Sequence, residues 1–362
     1  MKQWIWFTST IFTILFFPAT QACTDFRLVA KDGSVIITRS MEFAYDMNSN
    51  IRTMPRGNTF NTTAPDGTPT INWTNKYGYL YLDGMNIDAV IDGINENGLT
   101  IEDLLFPGFA GYQNVPPGKS KQALPYTRLG DYILGNFKTI DEVKQALTKI
   151  FVFPKTIPGQ RNLIFPLHFS IFDSTGKGII VEYVNGRLNI YDNNIGVLTN
   201  SPTYDWHLTN LRNYVNLSPL NPNPVVIQGV TFTATGQGAG MVGLPGDISP
   251  PSRFVKISVM KDTVLRTSNA LNTVNLAEHL INNVDIPIGF VREAARGPAT
   301  TELTQWVVFK DLTHRILYYR TYENLSLRKI DLNKIDFSEH SKRLQIPMKS
   351  AVTITDVTGQ MK

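Results

Sequence analysis

The order of strand and helix signals along the chain predicts an α+β fold built on antiparallel sheets. Strand patterns come in hairpins, helical patterns fall between the strand groups, and no strand–helix–strand alternation of the kind that builds a parallel sheet is present. Residues 26–28 alternate apolar and polar side chains, Lys31-Asp32-Gly33 supplies turn chemistry and 35–37 is apolar again, so a first hairpin opens at Cys23. Strand signals follow at 79–82, 89–94, 167–172, 179–183 and 188–191, the last three joined by Ser174-Thr175-Gly176 and by the hairpin dipeptide Asn185-Gly186. A second meander is expected at 305–309, 316–322 and 326–330. Helical patterns occupy 128–137, 140–150, 204–214, 251–267 and 274–283, with Thr139 and Glu142 at the spacing of a capping box. No linker, repeat or low-complexity tract interrupts residues 23–362, which therefore read as one domain.

Residues 1–22 read as a removable signal peptide. Lys2 provides the positive start, 4–17 is an apolar run broken only by Thr8, Ser9, Thr10 and Thr13, and Ala19-Thr20-Gln21-Ala22 places small residues before Cys23. The run is shorter than the roughly 20 residues of a membrane span. No later stretch resembles it, so the expectation is an exported chain, periplasmic or secreted, without stable membrane insertion.

Cys23 is the only cysteine, so no internal disulfide is available. Three readings of it stand: a lipid anchor, an idle surface thiol, or a nucleophile. A lipoprotein signal usually has Leu three residues before the cysteine, where this chain has Thr20. As a nucleophile, a leading Cys23 would carry a thiol of ordinary pKa about 8.5 beside an α-amine of about 7.7–8.0 that can take its proton. Such a site needs a cation for the thiolate, a carboxylate for the amine and donors for an oxyanion. Arg39 ends the second hairpin strand near Cys23, and Glu42 follows three residues later.

Composition narrows the function further. A net charge of +4, or +3 without Lys2, is spread without basic runs and argues against a nucleic-acid partner. Gly238-Ala239-Gly240-Met241-Val242-Gly243 spells a dinucleotide glycine pattern, but Leu244-Pro245-Gly246 stops a helix from starting there. Ser326-Leu327-Arg328-Lys329 matches S-x-x-K only inside an expected strand, and no G-x-S-x-G occurs. His168, His207, His279, His314 and His340 are scattered without metal-ligand spacing, and His168 reads as a structural strand residue. No metal and no organic cofactor is expected.

Several motifs together resemble the choloylglycine hydrolase family of conjugated bile salt hydrolases and penicillin V acylases. They are Cys23-Thr24, Lys31-Asp32-Gly33, Arg39-Ser40-Met41-Glu42, Asn95-Glu96-Asn97-Gly98-Leu99, Val197 through Trp206, Gly243-Leu244-Pro245-Gly246-Asp247 and Ser252-Arg253-Phe254. The likeness runs from Cys23 to at least Tyr322 in the family's order. It implies an N-terminal nucleophile hydrolase fold, a four-layer αββα sandwich with two stacked antiparallel sheets. By position, Cys23 matches the nucleophile and its amine the proton shuttle, Arg39 the arginine near the sulfur, Asn200 the side-chain oxyanion donor and Arg253 a second bracing arginine. The resemblance also implies a backbone oxyanion donor at Leu105, with Met41 beside the substrate.

Two positions depart from the family. Glu42 stands where the family has Asp, and its longer side chain must fold back to meet the amine, an expectation of reduced activity on standard substrates. Asp103-Leu104-Leu105-Phe106-Pro107 replaces the Gly-Leu-Asn-Phe-Pro of bile salt hydrolases, with Leu105 at the Asn; penicillin V acylases commonly have Tyr there. Leu105 keeps a peptide N–H but changes the surface beside the scissile group. The long 200–253 segment, Pro- and Asn-rich at 216–224, matches an insertion that packs between subunits in the family, which implies a homotetramer. The implied activity is a cysteine amidase for a small-molecule N-acyl amide. Glycine- or taurine-conjugated bile salts lead; penicillin V or an acyl homoserine lactone is the alternative within this chemistry, and a lipid-anchored non-catalytic binding protein the alternative outside it.

Overall fold

The computed structural model describes residues 22–157, 163–293 and 300–362, so the expected leader, apart from Ala22, lies outside the described residues. Fifteen strands make two large antiparallel sheets. In chain order they are β1 (Cys23–Val29), β2 (Val35–Phe43), β3 (Asn50–Met54), β4 (Tyr79–Gly84), β5 (Ile87–Asn95), β6 (Thr100–Leu105), β7 (Leu167–Phe172) and β8 (Gly178–Val184). They continue as β9 (Arg187–Asp192), β10 (Val197–Leu198), β11 (Val291–Glu293), β12 (Thr300–Asp311), β13 (Ile316–Thr321), β14 (Arg328–Asp331) and β15 (Gln345–Pro347). The first sheet runs β10-β1-β2-β12-β13-β14 with β11 on β12, and the second runs β9-β8-β7-β6-β5-β4-β3-β15.

The helices are α1 (Leu129–Asn136), α2 (Ile140–Leu147), α3 (Tyr204–Leu211), α4 (Pro250–Thr263) and α5 (Ala270–Ile281). Helix α2 starts at the expected capping box: the Thr139 side chain accepts from Glu142 N–H while the Glu142 carboxylate accepts from Thr139 N–H. Its buried Ile140, Val143 and Leu147 lie on one helical face, and with Ile133 and Leu134 of α1 they pack on Tyr79, Ile101, Phe169 and Val181 of the second sheet. Phe254 and Ile257 of α4 and Val274, Ala277 and Leu280 of α5 join the core of the first sheet. The two sheets face each other through Ile37, Leu80, Leu104 and Ile180. The layers are thus helix, sheet, sheet, helix, the α+β sandwich that the strand grouping predicts.

The differences from expectation have local causes. Helix α5 begins at Ala270 rather than 274 because Asn269 caps it, its side chain accepting from Asn272 N–H. Helix α4 ends at Thr263 rather than 267, since Val264 is already extended. Helix α3 stops at Leu211 and one 3-10 turn carries it to Tyr214. Strands β3, β6, β10, β11 and β15 have no counterpart among the strand signals read from the sequence. Gly238 adopts a left-handed φ of 85° and leads only into a 3-10 turn at Ala239–Met241, so the glycine-rich run is a loop.

Candidate active site

Cys23 is the first residue of β1, and its place is set by pairing with β2. Cys23 lies opposite Met41 and Asp25 opposite Arg39, so alternation along the strands gives Cys23, Arg39 and Met41 one common face. That face looks toward the second sheet. Cys23 Sγ is 4.0 Å from Met41 Sδ. Burial pushes the thiol pKa up, and the field of Arg39 works against that.

Arg39 is wholly buried and reaches across to the second sheet. Its Nη1 donates to Ile91 O at 2.6 Å and to Asp92 Oδ2 at 3.2 Å, its Nη2 donates to Asp103 O, and its guanidinium stands 5.3 Å from the Trp306 ring centre. Asp92 is shared: its other oxygen accepts from Lys310 Nζ at 2.7 Å, and Lys310 also donates to Glu102. The result is a buried chain of alternating charge, Arg39, Asp92, Lys310, Glu102, spanning the two sheets.

On the other side of Cys23, Arg253 and Asn200 form a second knot. Arg253, on the first turns of α4, donates from Nη1 to Cys23 O at 2.5 Å and to Thr24 Oγ1 at 2.6 Å, from Nη2 to Asn200 Oδ1 at 2.8 Å and from Nε to Ile248 O at 2.8 Å. Asn200 Oδ1 also accepts from Cys23 N–H at 2.8 Å, which fixes the orientation of the amide. Its Nδ2 then points to Leu105 O at 2.8 Å, leaving the second N–H of that nitrogen for another acceptor. Asn200 is itself held from behind, where His207 Nε2 donates to Asn200 O at 2.8 Å. Burial lowers the His207 pKa to about 4, so its ring is neutral at pH 7. His168, in β7, contacts Thr199 O at 3.0 Å and Glu182 at 3.2 Å and stacks on Phe106, a structural residue as expected.

Glu42 pairs with Thr304 of β12, on the strand face opposite Arg39. Its Oε1 accepts from Thr304 Oγ1 at 2.8 Å, and Oε2 has no hydrogen-bond partner among the described residues. Burial raises its pKa to about 8, with Arg253 opposing. Its peptide N–H donates to Ala22 O at 3.0 Å, so the main chains of 22 and 42 continue the β1–β2 ladder.

An apolar cavity of about 90 Å³ adjoins the thiol, walled by Cys23, Met41, Met47, Met85, Leu105 and Phe165 among others. Cys23, Arg39, Met41, Leu105, Asn200 and Arg253 are therefore together in space, although up to 230 residues separate them in sequence. Glu42 joins them from the far face of β2. Among the described residues no cluster of three or more His, Cys, Asp and Glu is placed to hold a metal.

Comparison with known proteins fits this geometry. The profile of the linear amide C–N hydrolases, choloylglycine hydrolase family, matches residues 23–345. The chain belongs to the choloylglycine hydrolase family. It is 36% identical over 317 residues to the bile salt hydrolase/transferase of Clostridium perfringens, covering 86% of this chain and 93% of that one. A crystal structure of a conjugated bile acid hydrolase variant from the same organism superposes with a TM-score of 0.81 at 33% identity, covering 93% of this chain and all of that one. Penicillin V acylase from Agrobacterium tumefaciens superposes with a TM-score of 0.72 at 25% identity, covering 90% and 91%. The fold is thus that of the N-terminal nucleophile hydrolases, and the activity class is hydrolysis of linear amides.

Sequence reading missed Thr24, Asp92, His207 and Lys310 as parts of the site. Asp92 had a visible signal, a carboxylate inside the apolar strand pattern 89–94. Lys310 had none, because its acidic partners lie more than 200 residues away.

Proposed function

We propose that the chain is an exported cysteine amidase, cut after Ala22 to leave a 23–362 domain, that hydrolyses N-acyl amino acids with glycine- or taurine-conjugated bile salts as leading substrates. The single observation that carries this reading is the buried thiol of Cys23 between two arginines and an oriented amide, on a chain whose family match begins at that residue. In the mature chain the Cys23 amine takes the thiol proton and Arg39 favours the thiolate. Sulfur attacks the amide carbonyl, and the Leu105 peptide N–H and the second N–H of Asn200 Nδ2 receive the oxyanion. The amine returns its proton to the departing nitrogen, leaving an acyl thioester on Cys23 that water then cleaves. Arg253 holds the Cys23 carbonyl and Asn200 in register, and Glu42 supplies the carboxylate for the ammonium.

The same chemistry serves penicillin V, the substrate named for the Agrobacterium relative. Leu105 and the three methionines of the cavity favour an apolar acyl group in either case. The homotetramer belongs to this proposal as well. A hairpin of Val225–Ile227 and Val230–Phe232, turned through Gln228 and Gly229 at φ 50° and 82°, presents five apolar side chains, each more than half exposed.

The test is incubation of the purified mature protein with glycocholate, taurocholate and penicillin V, measuring released glycine, taurine or 6-aminopenicillanic acid alongside amino-terminal sequencing. Expected are a start at Cys23 and release that Cys23→Ser abolishes. Undiminished turnover by Cys23→Ser, or active protein starting elsewhere, refutes the mechanism.

A further inference from the structure

Asp103 occupies β6 two residues before Leu105, so the two side chains stand on one strand face about 7 Å apart. Both line the cavity beside Cys23, and among the described residues of that otherwise uncharged wall Asp103 is the one ionisable carboxyl. Asp103 is 8% exposed, and its Oδ1 has no hydrogen-bond partner among the described residues. Its tie to the catalytic machinery runs through its peptide oxygen, which accepts from Arg39 Nη2. Any residue supplies a peptide oxygen, so this hydrogen bond does not account for the carboxyl, whose field on Arg39 comes after those of Cys23 and Asp92. Bile salt hydrolases have glycine at this point of the Gly-Leu-Asn-Phe-Pro stretch and therefore no side chain.

We infer that Asp103 is a specificity-determining residue that selects acyl groups bearing a hydroxyl or keto oxygen near the scissile amide. The inference rests on amide hydrolysis at Cys23. A plain hydrocarbon chain filling the cavity leaves the carboxyl dry and unpaired, whereas an oxygen within about 7 Å of the carbonyl carbon gives it a partner. Burial also holds the Asp103 pKa well above the ordinary carboxylate value, with Arg39 opposing, which favours the protonated form that can donate as well as accept. Polar groups committed to one hydrogen bond reject the analogue that lacks it more strongly than an apolar wall rejects an added hydroxyl.

The experiment compares two matched substrate pairs with the mature protein: N-(3-hydroxydodecanoyl)glycine against N-dodecanoylglycine, and glycocholate against glycochenodeoxycholate, which lacks the 12-hydroxyl. The parent is expected to favour the oxygenated member of at least one pair by on the order of tenfold in kcat/KM. Asp103→Leu should erase that preference while still cleaving the deoxy member. Asp103→Asn, which keeps a neutral donor and acceptor, should retain it, and circular dichroism with thermal melts checks that both variants fold. Absence of preference in the parent, its persistence in Asp103→Leu, or an equal fall on both members of a pair overturns the inference. Failure of the parent to cleave any of the four overturns the amidase reading itself, a separate result.

Discussion

Arg39 and Arg253 flank the same cysteine and are equally buried, yet they are held by opposite means. Arg253 gives its hydrogen bonds to neutral acceptors, the carbonyls of Cys23 and Ile248, the hydroxyl of Thr24 and the amide oxygen of Asn200. Burial lowers its pKa, with Glu42 the main opposing charge. Arg39 is paired with the Asp92 carboxyl, which also accepts from Lys310, and although burial opposes it the Arg39 pKa is raised, by Cys23 first and Asp92 next. One arginine fixes geometry through dipoles; the other supplies field at the sulfur and depends on a distant ion chain to stay in place.

Breaking the ion chain should have the largest effect. Asp92→Asn leaves Arg39 and Lys310 without their shared counter-charge and is expected to cost about 3–5 kcal/mol in stability, read from urea unfolding. The double variant Asp92→Asn, Lys310→Met removes both partners of one pair and should recover part of that loss. No recovery would mean that Asp92 matters through packing instead of charge.

On the neutral side, Arg253→Lys keeps the charge but loses the fork that reaches Cys23, Thr24 and Asn200 together. Its kcat/KM should fall on the order of 10²-fold, comparable to loss of one oxyanion donor, with a smaller loss of stability than Asp92→Asn. Equal sensitivity of the two variants in both assays would erase the contrast between the arginines.

The pH dependence of stability sharpens it further. Glu42 titrates near pH 8 when folded against about 4.5 ordinarily, so between those values the folded protein binds the extra proton and stability falls as pH rises. Glu42→Gln in the uncut chain should flatten that slope, as seen in melting temperature against pH. His207 has the opposite sign. With a folded pKa of about 4 against 6.5 ordinarily, it stays neutral while the unfolded chain takes up a proton, so stability falls as pH drops from 6.5 toward 4. His207→Gln should remove that acid-side loss, a change of a few degrees at most. An unchanged profile in either variant would mean that other groups set the slope.

The parts of this architecture legible in the sequence are those encoded locally. The β1–β2 hairpin is readable from alternation around Lys31-Asp32-Gly33, and α2 from its capping box. Strand β6 is not, because Thr100-Ile101-Glu102-Asp103-Leu104-Leu105 puts two carboxylates in a buried strand, and the cation paired with Glu102 arrives from residue 310. Strand β10 is two residues long and carries no pattern of its own, although Asn200 just after it is found through the motif that holds it. Among the site residues, position came from resemblance and contact from the fold. Without the likeness, Arg39, Asn200 and Arg253 read as a strand-end charge, a turn residue and a helix-start charge.

Ala22 is only 4% exposed, and its carbonyl is already engaged by Glu42 N–H. A protease arriving from outside the folded protein would find the 22–23 peptide sealed within the ladder. For the proposed mature enzyme, the expected order is therefore release of the leader before the first hairpin closes around the 22–23 bond.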